Sequence, residues 1–423
     1  MDESRSGGKS FVIDKMLVWE AYRKVKVNRG AAGVDKVSLE AFETDLKNNL
    51  YRVWNRMSSG TYFPPPVKAV PIPKPEGGTR VLGVPTVADR VAQTAAAMVL
   101  ESAVEPVFHP DSYGYRPGRS ALDAVGVCQD RCWKKAWVID LDIRAFFDTV
   151  PHDRIIQAVE HHTDREQRWI VLLVMRWLTA PLEQPDGTVL ARDRGTPQGS
   201  SISPVLANLF MHYAFDRWIT REFPMVDFER YCDDVVVHCV TQNQAAQVLA
   251  AITERLASFG LQLHPDKTRI VYCKDGQRGG DFPTTEFTFL GYTFRARAVR
   301  RKDGVMFTRV RPAVSKQAVK AMNREIRSWR LGRRSDLNWS DLAARINPVI
   351  AGWINYYGHF YGFKLWEIYR RINYHLVRWL IRKYKRLHRS YKRGWKLLYE
   401  VSLAQPGLFR HWRVGATPSP TGQ

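Results

Sequence analysis

Two stretches of the sequence place carboxylates at the ends of β-rich segments. Asp233 and Asp234 stand side by side between two β-rich runs, 226–231 and 235–239. A polar step between such runs predicts a hairpin with both carboxylates at its tip. Asp is also a favoured turn residue, so this pair alone would fit a plain turn better than a metal site.

A third carboxylate favours metal binding. Residues 137–143 form another β-rich run, on which Asp140 and Asp142 share one face because side chains alternate along a strand. Mg²⁺ prefers carboxylate oxygens and substrate phosphates. Two such ions, about 3.5–4 Å apart, support nucleotidyl transfer by activating a 3′ hydroxyl and holding a triphosphate. We therefore predict that Asp142, Asp233 and Asp234 hold two Mg²⁺ ions.

These stretches belong to an ordered set of motifs. Tyr-Cys-Asp-Asp at 231–234 resembles the Tyr-x-Asp-Asp box of reverse transcriptases, and 142–148 resembles the first palm motif of group II intron-encoded proteins. Segments 195–204, 260–268 and 289–292 continue the match in order. The resemblance implies an α+β right-hand polymerase, with fingers and palm followed by a helical thumb.

The resemblance also implies roles near the metals. The carbonyl of Ile143 would assist as a ligand, and Phe147 would be the steric gate against a 2′ hydroxyl, with Phe146 in the core. Lys267 would lie near the leaving pyrophosphate and protonate it, although a plain surface lysine fits the sequence nearly as well. An effect of Cys232, where the family usually has alanine, on rate or fidelity stays open.

Two further segments are expected to contact the nucleotide. The proline-rich run 64–75 and the Gly77-Gly78 turn predict an edge hairpin that offers Lys74 and Arg80 to the triphosphate. A basic edge that only deters aggregation is the alternative. Glycines at 195 and 199 allow a close backbone approach to a base pair, which places Gln198 against the nucleotide.

The charge of the chain is unevenly distributed. Residues 1–292 carry 35 Lys and Arg against 36 Asp and Glu, whereas residues 293–423 carry 29 against 6. Basic helices with interleaved Trp379, Tyr384 and Tyr391 are typical of RNA binding through phosphates and stacking. We expect an N-terminal extension (1–60), fingers and palm (61–292), a thumb or maturase domain (293–400) and a short tail (401–423).

Several helices are predicted from their start signals. Ser203, Asn243, Ser315 and Ser340 are expected to be N-caps, the first with Pro204 at the first helical position. Residues 366–399 are expected to form basic helices. The segment 347–357 resembles the maturase-specific region of group II intron proteins.

The predicted function is that of an RNA-directed DNA polymerase of the group II intron type, with metal-dependent nucleotidyltransferase chemistry. Its partners would be an RNA template, a DNA or RNA primer and dNTPs, and it would support splicing and retrohoming of a mobile element. A free-standing relative in repair or defence, or a maturase that mainly binds RNA, are the alternatives. No His/Cys endonuclease pattern follows the basic region, so DNA nicking is not expected.

The cysteines and the hydropathy pattern bear on location. Five scattered cysteines form no Cys-x-x-Cys pair or zinc spacing, which suits a reducing compartment. No signal peptide or membrane-length apolar run is present. We therefore expect a soluble, cytoplasmic protein without a membrane partner.

Overall fold

The computed structural model describes residues 9–73, 77–301, 303–387 and 390–422. The chain forms two compact units. The first comprises residues 1–120, 141–237 and 242–269, and the second comprises residues 121–140, 238–241 and 270–423.

Helices predominate in both units. In chain order the α-helices are α1 (Lys15–Asn28), α2 (Leu39–Glu43), α3 (Leu46–Ser58), α4 (Val87–Val104), α5 (Ala121–Lys134), α6 (Phe146–Thr149), α7 (His152–His161), α8 (Arg168–Thr179), α9 (Ser203–Met211), α10 (Arg217–Glu222), α11 (Gln242–Ser258), α12 (Lys316–Ser328), α13 (Trp339–Tyr357), α14 (Trp366–Lys383), α15 (Tyr391–Ala404) and α16 (Arg410–Arg413). A π-helical turn, His212–Asp216, joins α9 to α10.

The strands form three sheets. They are β1 (Val67–Pro73), β2 (Thr79–Val84), β3 (Trp137–Asp142), β4 (Leu182–Glu183), β5 (Val189–Leu190), β6 (Asp227–Tyr231), β7 (Asp234–Cys239), β8 (Arg269–Tyr272), β9 (Phe287–Phe289), β10 (Tyr292–Arg300) and β11 (Met306–Val314). Their orders are β2-β1-β4-β5, β6-β7-β3-β8 and β11-β10-β9.

The sheet β6-β7-β3-β8 contains both predicted carboxylate segments. Strand β3 is buried along its length up to Asp142, where the burial decreases. Strands β6 and β7 form the predicted hairpin. Because β7 lies next to β3, the sheet order brings the end of β3 and the hairpin to neighbouring positions.

Strands β1 and β2 form the predicted edge hairpin. They pair antiparallel, and Ile72 lies opposite Arg80. Lys74 lies outside the described residues, so its expected contact with a triphosphate stays a prediction.

Of the four predicted N-caps, only Ser315 is confirmed. Its side chain accepts a hydrogen bond from the amide of Ala318 at the start of α12. Ser203 and Asn243 already lie inside α9 and α11. The cap of α13 is Asn338, which makes a capping box with Asp341, so Ser340 lies within the helix. The prediction failed there because Asp341, three residues after Asn338, can return a hydrogen bond to the cap.

The C-terminal helices enclose the core of the second unit. Ile346, Ile372, Leu376 and Trp379 are among its fully buried side chains. Two helices cover most of the predicted basic region 366–399, because α14 ends at Lys383 and α15 begins at Tyr391.

The residues expected to form a short tail belong structurally to this unit. Helix α15 continues to Ala404, and α16 follows at Arg410–Arg413. Phe409 and Trp412 are buried in the core of the unit. The expected domain boundaries themselves stay a prediction.

Candidate active site

The tip of the β6–β7 hairpin is a turn made by Cys232 and Asp233. Cys232 adopts a left-handed conformation with φ of 62° and is buried. A non-glycine residue reaches this conformation only at an energetic cost, which the surrounding structure must offset. Strained positions of this kind cluster at functional sites, and here the strain lies next to the two carboxylates.

A fully buried ion pair between Arg230 and Asp216 stabilises the hairpin. Arg230 donates from Nε and Nη2 to the two carboxylate oxygens of Asp216, at 2.7 and 2.6 Å. Its other N–H groups reach Asn208 Oδ1 at 3.0 Å, Ser112 Oγ at 2.8 Å and the carbonyl of Cys232 at 3.0 Å. The guanidinium therefore fixes the turn residue directly. Sequence reasoning missed this pair, and its only local signal is an arginine in the middle of a β-rich run.

The hairpin tip also packs closely against Gly114. A Cβ atom at Gly114 would lie 2.6 Å from the amide nitrogen of Cys232, closer than real Cβ atoms come. The Gly114 carbonyl accepts a hydrogen bond of 2.7 Å from Asn208 Nδ2. Glycine is required here because only a residue without a side chain admits the turn.

Asp142 lies at the end of β3 and is tied to the segment after α11. Its carbonyl accepts a hydrogen bond of 2.7 Å from the amide of His264. Its carboxylate Oδ2 lies 3.2 Å from Lys267 Nζ. Ile143 is buried and bridges to Leu263. The structure thus brings Lys267 to Asp142, as expected if both act in one site.

The electrostatics of the tip favour a cation. Burial raises the pKa of the Asp233 carboxyl, and the negative charge of Asp142 raises it further, against hydrogen bonds to its own backbone and to Cys232 that lower it. Two carboxylates close enough to repel each other in a partly buried place destabilise their shared ionised state. A hard divalent cation removes that repulsion, so the donor set fits Mg²⁺.

Phe147 is presented by a tight turn after β3. Ala145 adopts a left-handed conformation before α6, with φ of 48° and ψ of 40°. Phe146 is buried against Phe210, whereas Phe147 is half-buried and meets Phe146 edge to face. The carbonyl of Phe147 accepts a hydrogen bond of 2.7 Å from Thr196. Phe146 thus has the core position expected for it, whereas the gate role of Phe147 stays a prediction.

The loop that carries Gln198 is held in place by hydrogen bonds to the buried side chain of Gln93. Gln93 Oε1 accepts hydrogen bonds from Ser200 Oγ at 2.7 Å and from the Ser201 amide at 2.9 Å. Its Nε2 donates to Asp89 Oδ2 at 2.9 Å. The carboxylate of Asp89 therefore decides which way the Gln93 amide points. Sequence reasoning missed both residues, since an apolar helical pattern surrounds them.

Asp89 is itself held by two donors on its other oxygen. Tyr62 and Trp177 donate to Oδ1 at 2.9 and 2.7 Å. Complete burial raises the pKa of Asp89 to about 6, although these hydrogen bonds act in the opposite direction. The network connects α4, α8 and the loop before α9 through polar groups that are mostly buried.

Gln198 and Arg80 are also expected to contact the nucleotide, and they lie on segments that are joined by a hydrogen bond. The carbonyl of Gln198 accepts a hydrogen bond of 2.7 Å from the amide of Gly83 on β2, which ties the loop to the edge hairpin. Arg80 is exposed on β2. The charges of Asp233 and Arg80 both act on Tyr115, whose pKa is raised first by its burial. Tyr115 is thus within electrostatic reach of both the hairpin tip and the edge hairpin.

The chain matches two models of known protein families. Residues 72–294 match the family model described as "Reverse transcriptase (RNA-dependent DNA polymerase)". Residues 319–398 match the model "Group II intron, maturase-specific domain". No helix in the described part of the chain is both long and apolar enough to cross a membrane.

The chain is also similar to individual proteins. Protein YkfC of Escherichia coli is 33% identical over 316 residues, which are 64% of this chain and 78% of that protein. Group II intron-encoded protein LtrA of Lactococcus lactis is 29% identical over 205 residues, 48% of this chain and 33% of LtrA. An apo telomerase from Candida tropicalis aligns at a TM-score of 0.42 and 15% identity, over 54% of this chain and 53% of that one.

The fold and the family match define the class of the protein. The chain belongs to the reverse transcriptase family, whose members are RNA-directed DNA polymerases with the right-hand fold. The second match adds a group II intron maturase domain. The chain is therefore a reverse transcriptase of the group II intron maturase type, and the predicted fold and family are confirmed.

Proposed function

We propose that Asp142, Asp233 and Asp234 form the catalytic metal site, with two Mg²⁺ ions and the Ile143 carbonyl as an additional ligand. The observation that carries this proposal is the electrostatic coupling of Asp142 to Asp233 at a strained, rigidly supported hairpin tip. When bound, the ions supply activation of the primer 3′ hydroxyl and charge neutralisation at the dNTP phosphates.

Lys267 is proposed to act on the leaving pyrophosphate. In the present arrangement its ammonium group lies 3.2 Å from an oxygen of Asp142. Its side chain is about half exposed and so is free to turn toward a bound triphosphate. There it stabilises the developing negative charge and donates a proton to the leaving pyrophosphate.

The nucleotide is positioned by residues around this centre. Phe147 excludes a 2′ hydroxyl, and Gln198 contacts the nucleotide from a loop fixed by Gln93. Arg80 binds the triphosphate, and Lys74 is proposed to bind it too. The hydrogen bond between the Gly83 amide and the Gln198 carbonyl, which joins the edge hairpin to the loop, supports the roles of Arg80 and Gln198.

The partner RNA is proposed to be a group II intron. The maturase-domain match and the similarity to LtrA support this assignment, although the chain covers only 33% of LtrA. The chain would bind intron RNA as template and splicing substrate, use a DNA or RNA primer, and support retrohoming. The free cysteines, all buried, suit a cytoplasmic location. A free-standing role in repair or defence is the second candidate, which intron RNA flanking the gene would exclude.

Primer extension on an RNA template tests the polymerase site. We expect Asp234→Asn to lose dNTP incorporation by roughly 10³-fold or more at saturating Mg²⁺, since a neutral amide is a poor ligand for a hard cation. Asp186→Asn, on an exposed turn, is the matched control. Equal incorporation by the two variants would remove Asp234 from the metal site.

A splicing assay tests the RNA partner. The wild-type protein should accelerate splicing of a group II intron transcript at low Mg²⁺, and a transcript lacking intron folds should not compete for binding. Binding of both transcripts with equal affinity would favour the free-standing role. Primer extension is read separately, so either part of the proposal can fail alone.

A further inference from the structure

A cleft in the first unit is lined by arginines and aromatic rings that the polymerase site does not use. The arginine cleft is defined by Arg154 on α7, Tyr213 in the π-helical turn, Arg217 on α10, and Arg255 and Phe259 on and after α11. It encloses a cavity of about 340 Å³. A neighbouring cavity of about 630 Å³ shares Tyr213, Arg217 and Arg255, so the two cavities are adjacent.

The guanidinium groups are held against ring faces. Arg255 lies 4.2 Å and Arg154 5.4 Å from the centre of the Phe259 ring, and Arg217 lies 5.5 Å from the centre of Tyr213. Arg255 is also fixed by hydrogen bonds of 3.0 Å to the carbonyls of Ala214 and Tyr213. The Tyr213 hydroxyl lies 2.7 Å from His162 Nε2, which orients its ring. The lining is therefore ordered before any ligand binds.

The positive charge of the cleft is poorly compensated. In the described part of the chain, no Asp or Glu is among the residues that line the 340 Å³ cavity. Asp153 lies 3.9 Å from Arg154 but is largely exposed. Burial lowers the pKa of Arg255, and the charges of Arg221 and Arg154 lower it further, while Glu222 acts the other way. An anion in the cleft would relieve this mutual repulsion.

We propose that the arginine cleft binds a nucleotide of single-stranded RNA, with its phosphates on Arg154 and Arg217 and its base against Tyr213 or Phe259. Arginine and aromatic side chains together are the usual lining for unpaired nucleotides. The cavity is in the size range of small-ligand sites. The adjacent cavity gives room for the next nucleotide of the same strand, which a site for free nucleotides does not need. The cleft would be a contact for RNA beyond the metal site and the basic C-terminal region.

Photo-cross-linking tests the cleft locally. Single-stranded RNA carrying 5-iodouridine is irradiated with the full-length protein, and cross-linked peptides are identified by mass spectrometry. We expect adducts at Tyr213 or Phe259 in the wild-type protein. Arg154→Gln/Arg217→Gln should reduce these adducts by roughly tenfold, because two phosphate contacts are lost. Arg165→Gln/Arg168→Gln, exposed arginines in the segment before α8 and at its first residue, remove the same charge and should leave the yield unchanged.

Several results would overturn the proposal. One is the absence of adducts at both rings in the wild-type protein, and another is an equal loss of adducts in the two double variants. Competition by free dNTPs at the concentration of the RNA would show a site for mononucleotides instead. Melting temperatures of both variants establish that they are folded. Primer extension by the wild-type protein is measured separately from cross-linking, so the proposed polymerase function can fail without the cleft proposal and the reverse.

Discussion

Single residues of the site are oriented by the neighbours that they contact. Gln93 points its carbonyl oxygen toward Ser200 and Ser201 because Asp89 occupies its other end. Phe146 is buried in the core, whereas Phe147 is only half-buried. The chemistry proposed here therefore depends on orientation as much as on residue type.

The steric gate is the first property to test at this scale. Replacing Phe147 by alanine should raise ribonucleotide incorporation relative to dNTP incorporation by roughly tenfold or more, because the ring no longer occupies the space of a 2′ hydroxyl. Single-nucleotide insertion kinetics with matched rNTP and dNTP measure the ratio. An unchanged ratio would place the gate elsewhere.

Asp89 should matter although it does not reach the substrate. In Asp89→Asn the new amide can present its NH₂ group to Gln93, so Gln93 flips and turns donors toward the Ser201 amide. We expect a fall in kcat of roughly 10- to 100-fold from the displaced loop, with RNA affinity retained. Glu101→Gln makes the same chemical change elsewhere on α4 and serves as the control. Steady-state primer extension separates kcat from KM, and a normal kcat in Asp89→Asn would contradict the positioning role.

At the scale of elements, the alternation of residue types predicted the strands but not the tertiary contacts that stabilise them. The β6–β7 hairpin and β3 follow from β-rich runs that end in carboxylates, and both are present. The Arg230–Asp216 pair joins a strand to a π-helical turn 14 residues earlier, and no local pattern predicts such a contact.

The buried ion pair gives a prediction for the hairpin. Arg230→Leu leaves the Asp216 carboxylate buried without its partner, which should lower the free energy of unfolding by about 3–5 kcal/mol. Adding Asp216→Leu should recover part of that loss, since the uncompensated charge is then gone. Urea denaturation of both variants measures the difference. A double variant as unstable as the single one would show that shape, rather than charge, dominates at this position.

At the scale of the whole molecule, the net positive charge lies in residues 293–423. The structure distinguishes among these basic residues. Lys383 donates to the carbonyls of Ser335 and Leu337 at 2.8 Å, so it supports the fold of the second unit. Arg370, Arg371 and Arg378 are exposed on α14 and are better placed to contact phosphates.

The salt dependence of RNA binding tests this distinction. Replacing Arg370, Arg371 and Arg378 by glutamine should weaken binding and flatten the slope of log K against log salt by about 2, because each phosphate contact contributes roughly 0.7. Lys383→Gln should lower the melting temperature and leave the slope nearly unchanged. Filter binding at several salt concentrations gives the slopes. An unaltered slope in the triple variant would mean that this face of α14 is only solvated.

Incorporation of dNTP by Asp233→Ala is the most direct test of the catalytic centre. We expect the variant to lose RNA-templated incorporation while its RNA affinity stays within about twofold of the wild type, because Asp233 is proposed to bind metal and not RNA. Rapid-quench primer extension and RNA binding are measured on the same preparation. Incorporation at the wild-type rate would contradict the assignment of the hairpin tip as the metal site.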